Sequence, residues 1–216
     1  MTEARAARLG SGRPEAVVFD LGGVLIDWNP RHLYRKLFDD PAAMETFLAT
    51  VVTADWNEQQ DAGRPWPEAI EWLVARHPDE RARIEAYHDR WPEMLGGPIA
   101  GTVEILSDLR ETGVRLLALS NWSGEMFERT RARFPFLDWF DGVVISGHVG
   151  LVKPDPRIFG YLVERFGVLP ERSLFIDDQP GNADVAARLG FETLRFVDSE
   201  TLRRDLEGLG LLPIRS

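Results

Sequence analysis

Four short stretches carry side chains whose combined chemistry suits a phosphate ester: Phe19-Asp20-Leu21-Gly22-Gly23-Val24, Leu119-Ser120-Asn121, Val152-Lys153-Pro154 and Phe175-Ile176-Asp177-Asp178. An ionised aspartate is a nucleophile that needs no base to activate it. Its obstacle is repulsion by the phosphate, about 4 kcal/mol per pair of unit charges at about 4 Å and an effective dielectric near 20. A Mg²⁺ ion held by Asp20 and one acid of the Asp177-Asp178 pair offsets that repulsion, since Mg²⁺ favours a few carboxylates plus substrate oxygens. Lys153 adds positive charge, and Ser120 and Asn121 are hydrogen-bond donors for the equatorial phosphate oxygens. Each residue alone has an ordinary use, as a helix cap, a turn or a solvated charge. Together they point to phosphoryl transfer through a carboxylate nucleophile.

These residues converge only if their elements share one edge. The apolar run Ala16–Asp20 reads as a buried parallel strand, with glycines that let the chain turn sharply beside Asp20. Further strands are expected over Arg115–Leu119, Gly142–Ser146, Ser173–Ile176 and Glu192–Phe196. Helices are expected over Thr102–Glu111, Glu125–Arg133, Pro154–Phe166, Asn182–Leu189 and Glu200–Leu209. This alternation implies an α/β parallel sheet, at whose C-terminal strand edge ligands bind. Asp20, Ser120-Asn121 and Asp177-Asp178 all fall where a strand ends. Successive strand residues face opposite ways, so one of the two aspartates meets the metal while the other supports it or Lys153.

Between Arg31 and Met94 the pattern is helical, cut by Pro41, Gly63, Pro65, Pro67, Pro78 and Pro92 into about four short helices. We therefore expect a core formed by residues 15–27 and 96–216 and an inserted helical unit over 28–95, with hinges near Asp27–Pro30 and Met94–Pro98. Trp56, Trp66, Trp72 and Trp91 are expected in the core of the insert. Trp28, Asn29, Trp56, Asn57, Gln59 and Gln60 are candidates for its mouth, with Trp122 bordering the pocket. His32, His77, His88 and His148 are too scattered to form a ligand set.

The 216 residues suffice for one full core and a small accessory unit. A net charge of −10 argues against a nucleic-acid or anionic-membrane surface. The absence of cysteine rules out disulfides and thiolate chemistry. No apolar run reaches membrane-spanning length, and residues 1–14 carry Arg5, Arg8 and Arg13 without the apolar core of a signal peptide. A mobile tail, a cytoplasmic setting and a monomer or homodimer are the expectations.

In their order and placement the four stretches, the last extending through Gln179-Pro180-Gly181-Asn182, resemble the motifs of the haloacid dehalogenase (HAD) superfamily, from about Glu15 to Phe196. The resemblance implies a Rossmann-like HAD core with an α-helical cap of the first type. It makes Asp20 the nucleophile and metal ligand, Gly22 the donor of a backbone carbonyl to Mg²⁺, and Asp178 the second acid on the metal, with Asp177 and Asn182 supporting it. Trp122, next to the Ser-Asn pair, stands with Ser120, Asn121 and Lys153 on the substrate side. The activity implied is hydrolysis of a small phosphorylated metabolite through an aspartyl-phosphate.

One departure matters. Most phosphatases of the superfamily carry a general acid–base two residues after the nucleophile, and this chain has Gly22 there. Losing such a group costs roughly 10²–10⁴-fold. Either the leaving group needs no proton, or a cap residue such as Glu58 or Asp61 supplies it. Two alternatives stand beside the phosphatase. A metal-independent 2-haloacid dehalogenase would not need the acid, but Asp177-Asp178 would repel its anionic substrate. A non-catalytic HAD-fold binding protein would have no use for so many converging polar groups.

Overall fold

The computed structural model describes residues 13–214. Residues 1–12, most of the expected mobile tail, lie outside the described residues. Of its last two residues, Pro14 is buried and Arg13 donates to the Leu211 carbonyl at 3.4 Å.

Five strands form one parallel sheet in the order β5-β4-β1-β6-β7: β1 (Ala16–Phe19), β4 (Arg115–Ser120), β5 (Gly142–Ile145), β6 (Ser173–Asp177) and β7 (Glu192–Arg195). Alternation of side chains along each strand divides the core in two. Val17, Phe19, Leu116, Ala118, Leu174 and Ile176 face one side, while Ala16, Val18, Leu117, Leu119 and Phe175 face the other. The second side is covered by α9 (Pro156–Phe166) and α10 (Pro180–Arg188), through Ile158, Phe159, Leu162 and Ala186. The first is covered in part by α6 (Ala100–Glu111) and α11 (Ser199–Gly208), through Ile105, Leu106, Leu109, Leu202 and Leu206. Asp155 starts α9 by accepting from the Arg157 N–H at 2.9 Å, with Pro156 in the first turn as expected.

The helical insert comprises α1 (Arg31–Tyr34), α2 (Pro41–Thr50), α3 (Ala54–Asp61), α4 (Trp66–Val74) and α5 (Arg81–Asp89). Its buried residues join the first core cluster, so the same apolar layer runs from Phe19 through Leu33, Tyr34 and Tyr87. Two strands, β2 (Ile26–Trp28) and β3 (Leu95–Pro98), pair antiparallel where the sequence suggests only junctions. Their composition, Ile-Asp-Trp against Leu-Gly-Gly-Pro, has no strand signature, and the pairing is settled by contact across the intervening helices. The helix α3 also lacks an apolar stripe. It forms because Thr53 Oγ1 accepts from the Trp56 N–H at 3.1 Å and because Trp56 and Gln60 turn inward together.

One core expectation fails. Trp72 is 44% exposed, its ring covered by the Arg76 guanidinium at 3.6 Å, whereas Trp56, Trp66 and Trp91 are buried. Arg76 follows the end of α4, and its stacking replaces burial for this ring. The helix α7 (Gly124–Thr130) ends before the expected Arg133, and 3₁₀ turns at Arg131–Arg133 and Pro135–Trp139 continue toward β5. Ser146–Val149 forms a short helix, α8, rather than the end of a strand and a loop. Among the described residues no helix is long and apolar enough to cross a membrane.

Phe175 is fully buried, with the Phe159 and Phe191 rings at 5.3 and 6.4 Å. Truncation to alanine is expected to remove about 3–5 kcal/mol, lowering the urea midpoint at unchanged slope. Trp72→Ala, by contrast, should cost less than about 1 kcal/mol in the same titration.

Candidate active site

The order of the strands brings the polar residues together. β1 lies between β4 and β6, with Phe19 in register with Ala118 and Ile176, so Asp20 emerges level with the end of β6. The Asp20 N–H donates to the Ile176 carbonyl at 2.8 Å, and its Oδ1 accepts from the Leu21 N–H at 2.6 Å. The ammonium of Lys153, which is buried, sits 3.0 Å from Asp20 Oδ2 and 2.6 Å from Asp177 Oδ2.

Lys153 comes from the loop between α8 and α9, and Asn121 holds that loop. The Asn121 amide donates to the Lys153 carbonyl and accepts from the Lys153 N–H, both at 2.8 Å. Only one N–H of this amide is left free of that pairing, so Asn121 positions the lysine as well as facing the pocket. Asp177 is held by the Gln179 N–H at 2.8 Å and by Asn182 Nδ2 at 3.0 Å from each carboxylate oxygen. Asp178 is less confined: its Oδ2 accepts from Gln179 Nε2 at 2.7 Å, and it faces a cavity that Asp177 does not line.

That cavity, of about 510 Å³, has Asp20, Gly22, Ser120, Asn121, Lys153, Asp178 and Asn182 on its sheet side. Trp28, Asp55, Asn57, Glu58, Asp61, Trp91 and Trp122 complete it. Of the expected mouth residues, Trp28 and Asn57 reach it, and Trp122 borders it as expected. Asn29, Trp56, Gln59 and Gln60 do not. Asn29 accepts from the Arg31 N–H at 3.0 Å, Gln59 bonds the Asp55 carbonyl at 3.3 Å, and Gln60 is buried between the Trp56 carbonyl and Arg64. Trp91 is both core and wall, and Gln179, adjoining the acid pair, was legible only as part of its motif. The histidines do not gather: His32 bonds Asp27 at 2.9 Å, and His88 bonds Asp89 and Glu125.

The electrostatics are those of a site short of positive charge. Burial pushes the Asp20 carboxyl up to about 7; Lys153 pulls it back and Asp177 pushes it further. Burial also raises Asp178, with the Gln179 bond opposing and Asp177 adding. Burial pulls Lys153 down, but its two carboxylate partners outweigh that, and the net shift is upward. One carboxylate oxygen each from Asp20, Asp177 and Asp178 lies within 4.8 Å of the others. Three carboxylates against one lysine, all offering hard oxygen donors, fit a small divalent cation. Gly23 leaves room for this arrangement: at φ 75° a Cβ would lie 3.0 Å from Asp178 Oδ2.

Comparisons with known proteins bear on the family and the fold. Residues 14–190 match the family model of haloacid dehalogenase-like hydrolases. D-ribitol-5-phosphate phosphatase of Bacteroides thetaiotaomicron is 33% identical over 201 residues, 88% of this chain and 95% of the relative. Sesquiterpene phosphatase astK of Aspergillus oryzae is 26% identical over 186 residues, 86% and 91% of the two chains. A longer relative, acyl-CoA dehydrogenase family member 10 of Mus musculus, is 35% identical over 115 residues, 51% of this chain and 10% of its own length. A HAD family enzyme of B. thetaiotaomicron, solved with magnesium and inorganic phosphate, superposes with a TM-score of 0.65 at 24% identity, covering 86% and 95%. L-2-haloacid dehalogenase of Xanthobacter autotrophicus, with chloropropionic acid covalently bound, superposes at 0.60 and 21% identity, covering 93% and 85%. The two structural likenesses speak to the fold.

A carboxyl raised by burial is protonated in the folded chain at a pH where the unfolded chain has released its proton. The stability that goes with protonated Asp20 is therefore full below the ordinary carboxylate range and is lost as pH rises through about 7, levelling off above it. In EDTA at pH 8, Asp20→Asn is therefore expected to melt above the unmodified protein. The gap should narrow at pH 5, where Asp20 is already neutral; thermal melts at the two pH values check it.

Proposed function

This chain belongs to the haloacid dehalogenase-like hydrolase family, and on that premise we propose that it is a Mg²⁺-dependent phosphatase of a small phosphorylated metabolite. The observation that carries the proposal is Lys153 buried between Asp20 and Asp177 at the floor of the cavity, with the Asp178 carboxylate beside them. A halide-displacing site needs one carboxylate and no surplus of negative charge. This site has three carboxylates, and their surplus negative charge is what a bound divalent cation would offset, so that a phosphate dianion can approach. The two nearly full-length relatives are named as phosphatases of small molecules, which supports the same reading.

In the proposed reaction Asp20 attacks phosphorus and the leaving oxygen departs, giving an aspartyl-phosphate that water then hydrolyses. Lys153 holds the Asp20 carboxylate in one orientation and keeps positive charge beside the phosphoryl oxygens. Asn121 maintains that lysine through both peptide groups and directs its remaining N–H, with the Ser120 hydroxyl, toward the phosphate. Asp20, Asp178 and the Gly22 carbonyl are the groups that would hold Mg²⁺; Asp177, saturated by Lys153, Gln179 and Asn182, steadies them. When bound, the ion neutralises charge between nucleophile and substrate. Residues 28–95 act as a cap over this edge, hinged near Asp27–Pro30 and Met94–Pro98, and exclude water while the phosphoryl group moves. A cavity of about 510 Å³ suits a metabolite rather than a macromolecule.

The test is release of p-nitrophenol from p-nitrophenyl phosphate with Mg²⁺ and with EDTA, beside halide release from 2-chloropropionate. Mg²⁺-dependent release that falls by at least about 10³-fold in Asp20→Asn is expected, since the variant lacks the nucleophile. Halide release without metal would replace the phosphatase by the dehalogenase, and Mg²⁺ binding without turnover of any phosphate ester would favour the binding protein.

A further inference from the structure

Resting on the phosphatase reading, we propose that Asp61, on the wall contributed by α3, is the acid–base residue that takes the place of the carboxylate missing at Gly22. The position beside the nucleophile is vacant: Gly22 lines the cavity, and a Cβ built on it meets nothing within 4 Å. No neighbouring side chain has moved into that space. For a leaving group that needs a proton, the donor has to come from elsewhere on the cavity surface.

Outside the cluster around Lys153, three carboxylates line the cavity: Asp55, Glu58 and Asp61. Asp55 and Glu58 are exposed, whereas Asp61 is half-buried. Asp61 is also the one the surroundings hold in place. Its Oδ2 accepts from Asn57 Nδ2 at 2.8 Å, and Asn57 Oδ1 in turn accepts from the hydroxyl of the buried Tyr87 at 2.9 Å. The Ser123 N–H bonds its carboxylate, and its carbonyl accepts from Ser146 Oγ at 2.6 Å. Asp61 is thus fastened both within the insert and to the sheet-side loop that carries Ser120, Asn121 and Trp122. Burial pushes its carboxyl up to about 7, with the Ser123 bond opposing and Glu58 adding, so it holds or releases a proton near neutrality.

In the first half-reaction the Asp20 carboxylate forms a bond to phosphorus while the bond from phosphorus to the leaving oxygen breaks, and the proton of Asp61 passes to that oxygen. In the second, the Asp61 carboxylate takes a proton from water as the water oxygen bonds to phosphorus and the acyl–phosphate bond breaks. Phosphate leaves, and both aspartates return to their starting states.

Phenyl and p-nitrophenyl phosphate share the aryl phosphate core and differ, beyond the para-nitro group, in their leaving group's need for a proton. The ratio of first-turnover phenol to nitrophenol release by the Mg²⁺-loaded protein therefore reports on the acid. Asp61→Asn is expected to slow phenyl phosphate at least about tenfold more than p-nitrophenyl phosphate. Adding Gly22→Asp to Asp61→Asn should restore phenol release, which also shows that the Asp61→Asn chain is folded. Equal slowing on both esters, or no recovery in the double variant, would overturn the role of Asp61 while leaving the phosphatase reading intact. No Mg²⁺-dependent nitrophenol release from the unmodified protein would overturn both.

Discussion

The structure turns on one ammonium group. Lys153 Nζ is buried between two carboxylates on adjacent parallel strands, 3.0 Å from Asp20 and 2.6 Å from Asp177. A charge in that position is tolerable only because it is paired and its partners are themselves hydrogen-bonded; without them it would be costly to bury. Much of the surrounding polar structure serves this requirement. Asn121 holds the loop that delivers the lysine, while Asn182 and the Gln179 N–H complete Asp177. The register of β1 with β6 puts Asp20 and Asp177 on either side of it.

The same pairing leaves charge in excess. One lysine does not balance Asp20, Asp177 and Asp178; burial raises the Asp20 and Asp178 carboxyls, and Asp177 adds to both. Such a site is less stable than it could be, a cost that recurs where function requires like charges close together. The hydrolase family to which the chain belongs and the oxygen-only donor set are consistent with a divalent ion that relieves it.

The insert is joined to this centre by specific contacts as well as by apolar packing. Trp66 Nε1 donates to Ser123 Oγ at 2.9 Å, and Ser146 Oγ bridges the Trp122 N–H to the Asp61 carbonyl. Trp122 itself packs against Trp91, with ring centroids 5.6 Å apart. The segment after β4 therefore carries the Ser120-Asn121 pair at its start and the seat of the helical wall two residues later.

The sheet was legible in the sequence because each strand is an apolar run bounded by polar or glycine residues. The polar residues at its edge were legible because apolar runs end in them. Asp20, Asn121, Asp177 and Asp178 are local signals of this kind, whereas Lys153, in the loop before α9, was legible through its motif. The β2–β3 pair and α3 were not, for a common reason: neither has periodicity of its own. β2 and β3 exist by pairing across the whole insert. The helix α3 buries Trp56 and Gln60 on one side, and its polar residues Asn57, Glu58 and Asp61 face a cavity rather than bulk water. A polar helical face reads the same in sequence whether it meets solvent or an active site. Hence residue types and their order along the chain determined the carboxylate at the end of β1, the lysine and the acid pair. Which amide pins the lysine, which aspartate is saturated, and which wall carboxylate is held in the cavity depended on contacts between segments far apart in sequence, and only the tertiary structure decided them.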